Sequence, residues 1–268
     1  MPQSRRFVAA TDRCRAIDSG RQVIRFDHRD TGRSDCVDFT THPYALADMA
    51  ADTLAVLDGH GVTAAHVVGA SLGGTIGQWL AVHRPARVLT LTAMATSPMG
   101  NQPGPAWARA MAGQPPVPGE LPPPSQRFLQ HLMASARMPR STRHERVEAD
   151  VQTWRVLNGE VLPFDEAAAR RFVERCHERA RNHAAAVQHD LAGRRFGDDR
   201  LAPLASITAP TLVVHGSEDP IFPLAHGEAL AAQIPGSRLY VVPGMGHHGF
   251  FSPGLSHRIA DLVIAHTA

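Results

Sequence analysis

Lysine is absent: all 27 basic residues of this 268-residue chain are arginine. Without an ε-amine the chain cannot form Schiff bases, hold pyridoxal phosphate, build a Walker A loop or run Ser-Lys hydrolysis. Cysteine is scarce too. Cys14, Cys36 and Cys176 are odd in number and lack metal-ligand spacing, so they read as free thiols in a reducing compartment, with no disulfide framework. Only 19% of residues are charged and the net charge is +2, with arginines scattered and no dense basic block, which argues against capture of nucleic acid. No uncharged apolar run reaches the roughly 18 residues that span a bilayer. The opening Ser4-Arg5-Arg6-Phe7-Val8-Ala9-Ala10 is not a twin-arginine signal, because Asp12, Arg13 and Arg15 interrupt the apolar stretch such a signal needs. The expectation is a cytoplasmic protein with no membrane partner, whose 43% hydrophobic content suffices for one large core or two small ones.

Short apolar runs alternate with helical patterns in two blocks. In the first, Gln22 to Phe26 reads as a strand, 45–60 as a helix, Ala65 to Gly69 as a strand, 72–83 as a helix and Val88 to Ala95 as a strand. In the second, Thr211 to His215 is a strand, 224–233 a helix, Arg238 to Val242 a strand and 254–266 a closing helix. Alternation of this kind predicts an α/β fold, a mostly parallel sheet with helices on both faces. Between the blocks, 98–126 is proline-rich, with Pro115-Pro116 and Pro122-Pro123-Pro124 arguing against regular structure. Residues 127–190 then turn helical, with a helix start at Phe164-Asp165-Glu166 and one long helix over Ala167 to His189. Helices inserted beside the carboxyl edge of a parallel sheet, where ligands bind, suggest a cap. The expected division is a core at 1–97, a helical cap at 98–203 and the rest of the core at 204–268.

Gly69-Ala70-Ser71-Leu72-Gly73-Gly74 sits between a strand and a helix and fits the G-x-S-x-G elbow. There a tight turn lifts the serine hydroxyl over a helix N-terminus, whose free N–H groups can stabilise an oxyanion, and glycines make room for the turn. A serine needs a base and an acid to orient it, and with this elbow they follow in the order acid, then His. Asp219 and His247 stand just beyond the ends of successive strands. Glu218 is the rival acid and His248 the rival base. Asp219 is preferred for its spacing and the turn-fixing Pro220, and His247 as the first residue after Gly244-Met245-Gly246. Most of the other histidines read as surface or cap residues. Gly244-x-Gly246-x-x-Gly249 leaves too little chain for a Rossmann unit, and His28-Arg29-Asp30 cannot be a kinase loop without lysine. Cys176, His177, His183 and His189 read as a solvated face, not a metal cluster.

With these residues in view, the chain resembles the α/β-hydrolase family over nearly its whole length. Asp27-His28-Arg29-Asp30-Thr31-Gly32-Arg33-Ser34 is similar to its D-x-R-x-x-G-x-S turn, and Gly216-Ser217-Glu218-Asp219-Pro220 to its acid turn. More narrowly, Val23 to Ser34, Ala51 to Ser71, Trp154 to Asp165 and Pro243 to His247 resemble the aclacinomycin methylesterase group, which removes a methyl group from a carboxylic ester on an anthracycline polyketide. The resemblance implies Ser71 as nucleophile, His247 as base and Asp219 as its orienter.

The family carries further strands and a His-Gly or Gly-Gly loop before the D-x-R turn, and that loop supplies one oxyanion N–H. Met1 to Arg21 contain no such loop and look like the helix that follows it. The expectation is therefore an N-terminally shortened chain whose sheet lacks its first strands. Leu72 N–H would be its one evident oxyanion donor, at a cost of about 10² to 10³ in rate. The chemistry expected is acyl transfer to water on a small-molecule ester, with no metal or organic cofactor. Trp107, Phe128, Met133, Met138 and Trp154 could line an apolar pocket or form the cap's own core. Serine at the elbow disfavours epoxide hydrolases and dehalogenases, which use aspartate there. A carbon-carbon bond hydrolase, a cofactor-free haloperoxidase and an inactive ligand-binding remnant stay open as alternatives.

Overall fold

The computed structural model describes residues 20–101, 103–138, 140–194 and 203–268. Four strands form one sheet in the order β1 (Ala65–Ala70), β2 (Val88–Met94), β3 (Thr211–Gly216) and β4 (Arg238–Val242), and every neighbouring pair is parallel. Parallel strands need crossovers, and these are helices: α1 (Leu46–Gly59) precedes β1, α2 (Leu72–His83) joins β1 to β2, and α8 (Ala225–Gln233) joins β3 to β4. The last helix, α9 (Leu255–His266), follows β4. Between β2 and β3 come α3 (Pro103–Met111), α4 (Gln126–Ser135), α5 (Arg143–Asn158), α6 (Glu166–Arg179) and α7 (Gln188–Arg194).

Side chains alternate across each strand, so every strand feeds two cores. Val67 of β1, Leu91 and Ala93 of β2 and Val213 of β3 pack with Met49, Ile76, Trp79, Leu80 and Leu230 from α1, α2 and α8. Their neighbours Val68, Met94, Leu212 and Val214 pack with Leu255, Ile259 and Val263 of α9 on the opposite face. Both faces are covered, which is why the strands read as near-continuous apolar runs.

The D-x-R-x-x-G-x-S turn holds itself together. Asp27 accepts the Arg33 backbone N–H, and the Ser34 hydroxyl donates to the Asp27 carbonyl at 2.6 Å. Gly32 has φ +54°, and a Cβ there would lie 2.3 Å from the Asp27 carboxyl. Arg29 makes two 2.7 Å bonds to Asp52 of α1, tying the turn to the core.

Three sequence expectations need correction. Gln22 to Phe26 is not a strand: only Gln22 forms an isolated bridge. An apolar cavity of about 120 Å³ is lined by Ile24, Phe26 and His28 as well as by Ala65 to Gly69, so the run makes no ladder with β1. The proline-rich stretch does contain a helix, α3, whose Pro103 and Pro105 lie in the first turn, where no intrahelical N–H bond is forfeited. The long helix over Ala167 to His189 stops at Arg179: the Arg181 backbone donates to the Gly32 carbonyl and its guanidinium pairs with Asp35, pulling the chain away. The helix start at Asp165 is capped, with its side chain accepting from Ala168 N–H at 2.9 Å. The expected helix over Met1 to Arg21 lies almost wholly outside the described residues.

Leu91 is fully buried at the centre of the sheet. Leu91→Ala should cost about 2–5 kcal/mol in urea unfolding. A loss under about 1 kcal/mol would contradict its place in the core.

Candidate active site

Ser71 is the residue between β1 and α2, and its backbone is strained at φ +53°, ψ −120°, a region that side chains other than glycine rarely adopt. The turn closes because Gly69 touches the backbone beyond it: a Cβ there would lie 2.1 Å from the Gly73 carbonyl oxygen. Gly74 faces Thr96 less closely, its Cβ position lying 2.7 Å from the Thr96 methyl carbon. Gly73 itself faces open space, so a side chain at the motif's second glycine would meet nothing there. Ser71 N–H donates to the Met94 carbonyl at 2.9 Å, which fixes the elbow at the carboxyl edge of β2. Leu72, the first helical residue of α2, places its N–H among the unpaired donors of that helix end.

Asp219 and His247 meet at the same edge. His247 Nδ1 lies 2.8 Å and 3.0 Å from the two Asp219 oxygens, and both residues are buried, 2% and 4% exposed. Asp219 Oδ1 also accepts the backbone N–H groups of Ile221 and Phe222, each at 2.9 Å, so Pro220 sits inside a turn closed by the carboxylate. Burial opposes the charge on Asp219, but the His247 imidazole and these bonds outweigh it and hold the carboxyl below its ordinary value. With the carboxylate on Nδ1, the neutral ring carries its proton there and leaves Nε2 as a free acceptor.

The turns that carry Asp219 and His247 are laced together. Ser217 Oγ accepts from Gly244 N–H at 2.8 Å, Glu218 N–H donates to the Met245 carbonyl at 2.9 Å, and a Cβ on Gly216 would lie 2.1 Å from that carbonyl oxygen. Glu218 is exposed and touches Ser217, not an imidazole. His248 makes no contact with the acid. Its ring stacks on Phe250 at 4.8 Å and sits 5.5 Å from Trp154, and this burial, with His247 beside it, pushes its pKa well below the ordinary histidine value. Ser71 and His247 share the sheet edge, yet no hydrogen bond joins Ser71 Oγ to His247 Nε2 among the described residues.

Two buried histidines near Asp219 escaped the sequence reading, which put most of the remaining histidines on the surface or in the cap. His215 is fully buried at the end of β3, with Nε2 2.7 Å from the Phe222 carbonyl and 3.5 Å from Asp219 Oδ2. His226 bridges Ser97 and the Pro122 carbonyl, at 2.9 Å each. The signal was available for His215: it continues the alternation of Val213 in an otherwise apolar strand, so it had to face the core. His177, placed on a solvated face, instead lies 2.8 Å from Asp150 and stacks on His183. Cys176 is exposed, His189 bonds the Arg29 carbonyl, and no group of three or more metal-ligating side chains exists among the described residues.

The five residues offered as a pocket lining do not meet. Trp107 packs edge-on against Phe128 and borders a cavity of about 210 Å³ that includes Asn101, Glu120 and His226. Trp154 belongs to a separate aromatic cluster with Phe172 and Phe251, while Met133 and Met138 are exposed.

A strained serine at a strand-to-helix elbow, with an acid and an imidazole after later strands, defines a class, and the alpha/beta hydrolase fold family matches residues 7–253; the chain belongs to that family. Among individual proteins it is similar to rhodomycin D methylesterase DnrP of Streptomyces peucetius, with 41% identity over 256 residues covering 94% of this chain and 83% of the relative. Rhodomycin D methylesterase DauP of Streptomyces sp. strain C5 is also 41% identical, over 93% of this chain and 82% of its own length. A solved esterase from Exiguobacterium antarcticum shares the fold, with a TM-score of 0.70, 21% identity and coverage of 98% and 91%. Among the described residues, no helix is long and apolar enough to cross a membrane.

Gly69→Ala should cost about 1–3 kcal/mol, because the added methyl meets rigid backbone. Denaturant unfolding checks this, and an unchanged midpoint would contradict the close approach. Burial also lowers the pKa of His28, His215 and His226 below the ordinary 6.5. The folded state therefore binds fewer protons than the unfolded chain just below that value, so stability is full above pH about 6.5 and declines as pH falls. The melting temperature should be lower at pH 5.5 than at pH 7.5, and an equal or higher one would contradict the assignment.

Proposed function

We propose that this protein is a serine carboxylesterase that removes a methyl group from a carboxylic ester on a flat polycyclic molecule. The observation that carries the proposal is the buried Asp219–His247 pair at the sheet edge that also bears the strained Ser71. The 41% identity to two rhodomycin D methylesterases supports a methyl ester as the scissile bond over carbon-carbon or halide chemistry.

In this mechanism Ser71 Oγ attacks the ester carbonyl while His247 Nε2 takes its proton, and Asp219 holds the ring's tautomer and stabilises the imidazolium. Leu72 N–H at the head of α2 receives the developing oxyanion. As the acyl C–O bond breaks, His247 returns the proton to the departing methoxide oxygen and releases methanol, and a water molecule then repeats the sequence on the acyl-enzyme. The contact between Ser71 and His247 is one that forms as substrate binds, as catalytic hydrogen bonds often do. Residues 98–203 act as a cap over this edge, between core segments 1–97 and 204–268. A reducing cytoplasm accords with the unpaired Cys36 and Cys176.

Ser71→Ala should lower kcat/KM on a p-nitrophenyl ester by about 10⁴-fold or more while leaving the circular dichroism spectrum unchanged. Hydrolysis at the wild-type rate by the folded variant would overturn the mechanism.

A further inference from the structure

The loop that carries His247 rests on the inserted helices as well as on the sheet. Two consecutive N–H groups, those of Gly246 and His247, donate to the Asn158 and Leu157 carbonyls at the last turn of α5, at 3.1 Å and 2.7 Å. These carbonyls are orphan acceptors of a helix end, which the loop satisfies. Only glycine permits the approach, because a Cβ on Gly246 would lie 2.2 Å from the Leu157 carbonyl oxygen. Further along, Asp165 N–H donates to the Phe251 carbonyl at 2.8 Å.

Asn158 locks this junction with its side chain. It is 1% exposed, its Oδ1 accepts from the Ser252 hydroxyl at 2.9 Å, and its Nδ2 donates to the Leu162 carbonyl at 3.0 Å. One amide therefore spans the end of α5, the turn after it and the far end of the base loop. Of the described contacts, His247's side chain hydrogen-bonds only to Asp219, so the ring's approach to Ser71 depends on where the loop backbone is held.

We propose that Asn158 is a positioning residue, which docks the His247 loop onto α5 so that the inserted helices set the reach of the base toward the elbow. The proposal rests on His247 acting as the base of the esterase. It predicts that loosening the clamp slows proton transfer without weakening substrate binding.

The test compares the wild type with Asn158→Ala, Ser252→Ala and Ser252→Thr by steady-state hydrolysis of a p-nitrophenyl ester and by the rate of fluorophosphonate labelling. Asn158→Ala and Ser252→Ala should reduce kcat and the labelling rate by about 10- to 100-fold. KM should stay within about twofold. Ser252→Thr, which keeps the hydroxyl, should recover most of the rate. Where Asn158→Ala does not fold, Ser252→Ala decides, since it leaves Asn158 and its bond to Leu162 in place. Variants that melt earlier but hydrolyse and label at the wild-type rate would reduce Asn158 to a structural role and overturn the proposal. Failure of the wild type itself to label at Ser71 would instead remove the triad, and the positioning role with it.

Discussion

Gly69 and Gly73 approach one another so closely that no side chain fits between them, and the geometry of the sheet's carboxyl edge depends on that contact. It lets the chain reverse from β1 into α2 within a single residue. That residue, Ser71, bears the strain, of order 1–3 kcal/mol for a backbone in such a region. The surroundings hold it there: β1 pairs with β2 along its whole length, and α2 buries Ile76, Trp79 and Leu80 against the same sheet. A relaxed turn would swing the hydroxyl away from the helix N-terminus and give up that packing.

Asp219 and His247 are held by a different device. Their turns follow neighbouring parallel strands, and the chain fastens one to the other through Ser217, Glu218, Gly244 and Met245. Asp219 is buried, so its charge depends on the donors around it: two backbone N–H groups and the His247 ring. His215 Nε2 lies 3.5 Å from the same carboxylate, and its own burial lowers its pKa below the ordinary histidine value. On its other side the base loop leans on α5, so inserted helices and sheet meet through the residues flanking the imidazole.

Local chemistry made much of this legible before any coordinates. Short apolar runs and helical patterns located all four described strands and the helices beside them to within a residue or two, because parallel strands buried on both faces and amphipathic helices leave strong signatures. The elbow was readable for the same reason: Gly69 answers to a contact with Gly73, four residues on. The errors fell where distant contacts overrule local preference. Gln22 to Phe26 has strand composition but no ladder partner in β1, and a strand is defined by its ladder. Ala167 to His189 has helical composition, but Arg181 is held by Gly32 and Asp35 across the fold. Prolines at 103 and 105 looked like breakers, yet a helix's first turn tolerates them.

Two levels of information therefore separate cleanly. Residue order alone was enough for the α/β architecture, the elbow serine and a short list of partners for it, since each depends on neighbours within one turn or one strand. Which carboxylate meets an imidazole, and which imidazole, was a matter of folding: Glu218 and Asp219, like His247 and His248, are adjacent in the chain and alike in chemistry. Burial of Asp219 against the His247 ring, and the packing of His248 beside Trp154, told them apart. Those contacts join segments tens of residues or more apart, and only the packed chain brings them within bonding distance.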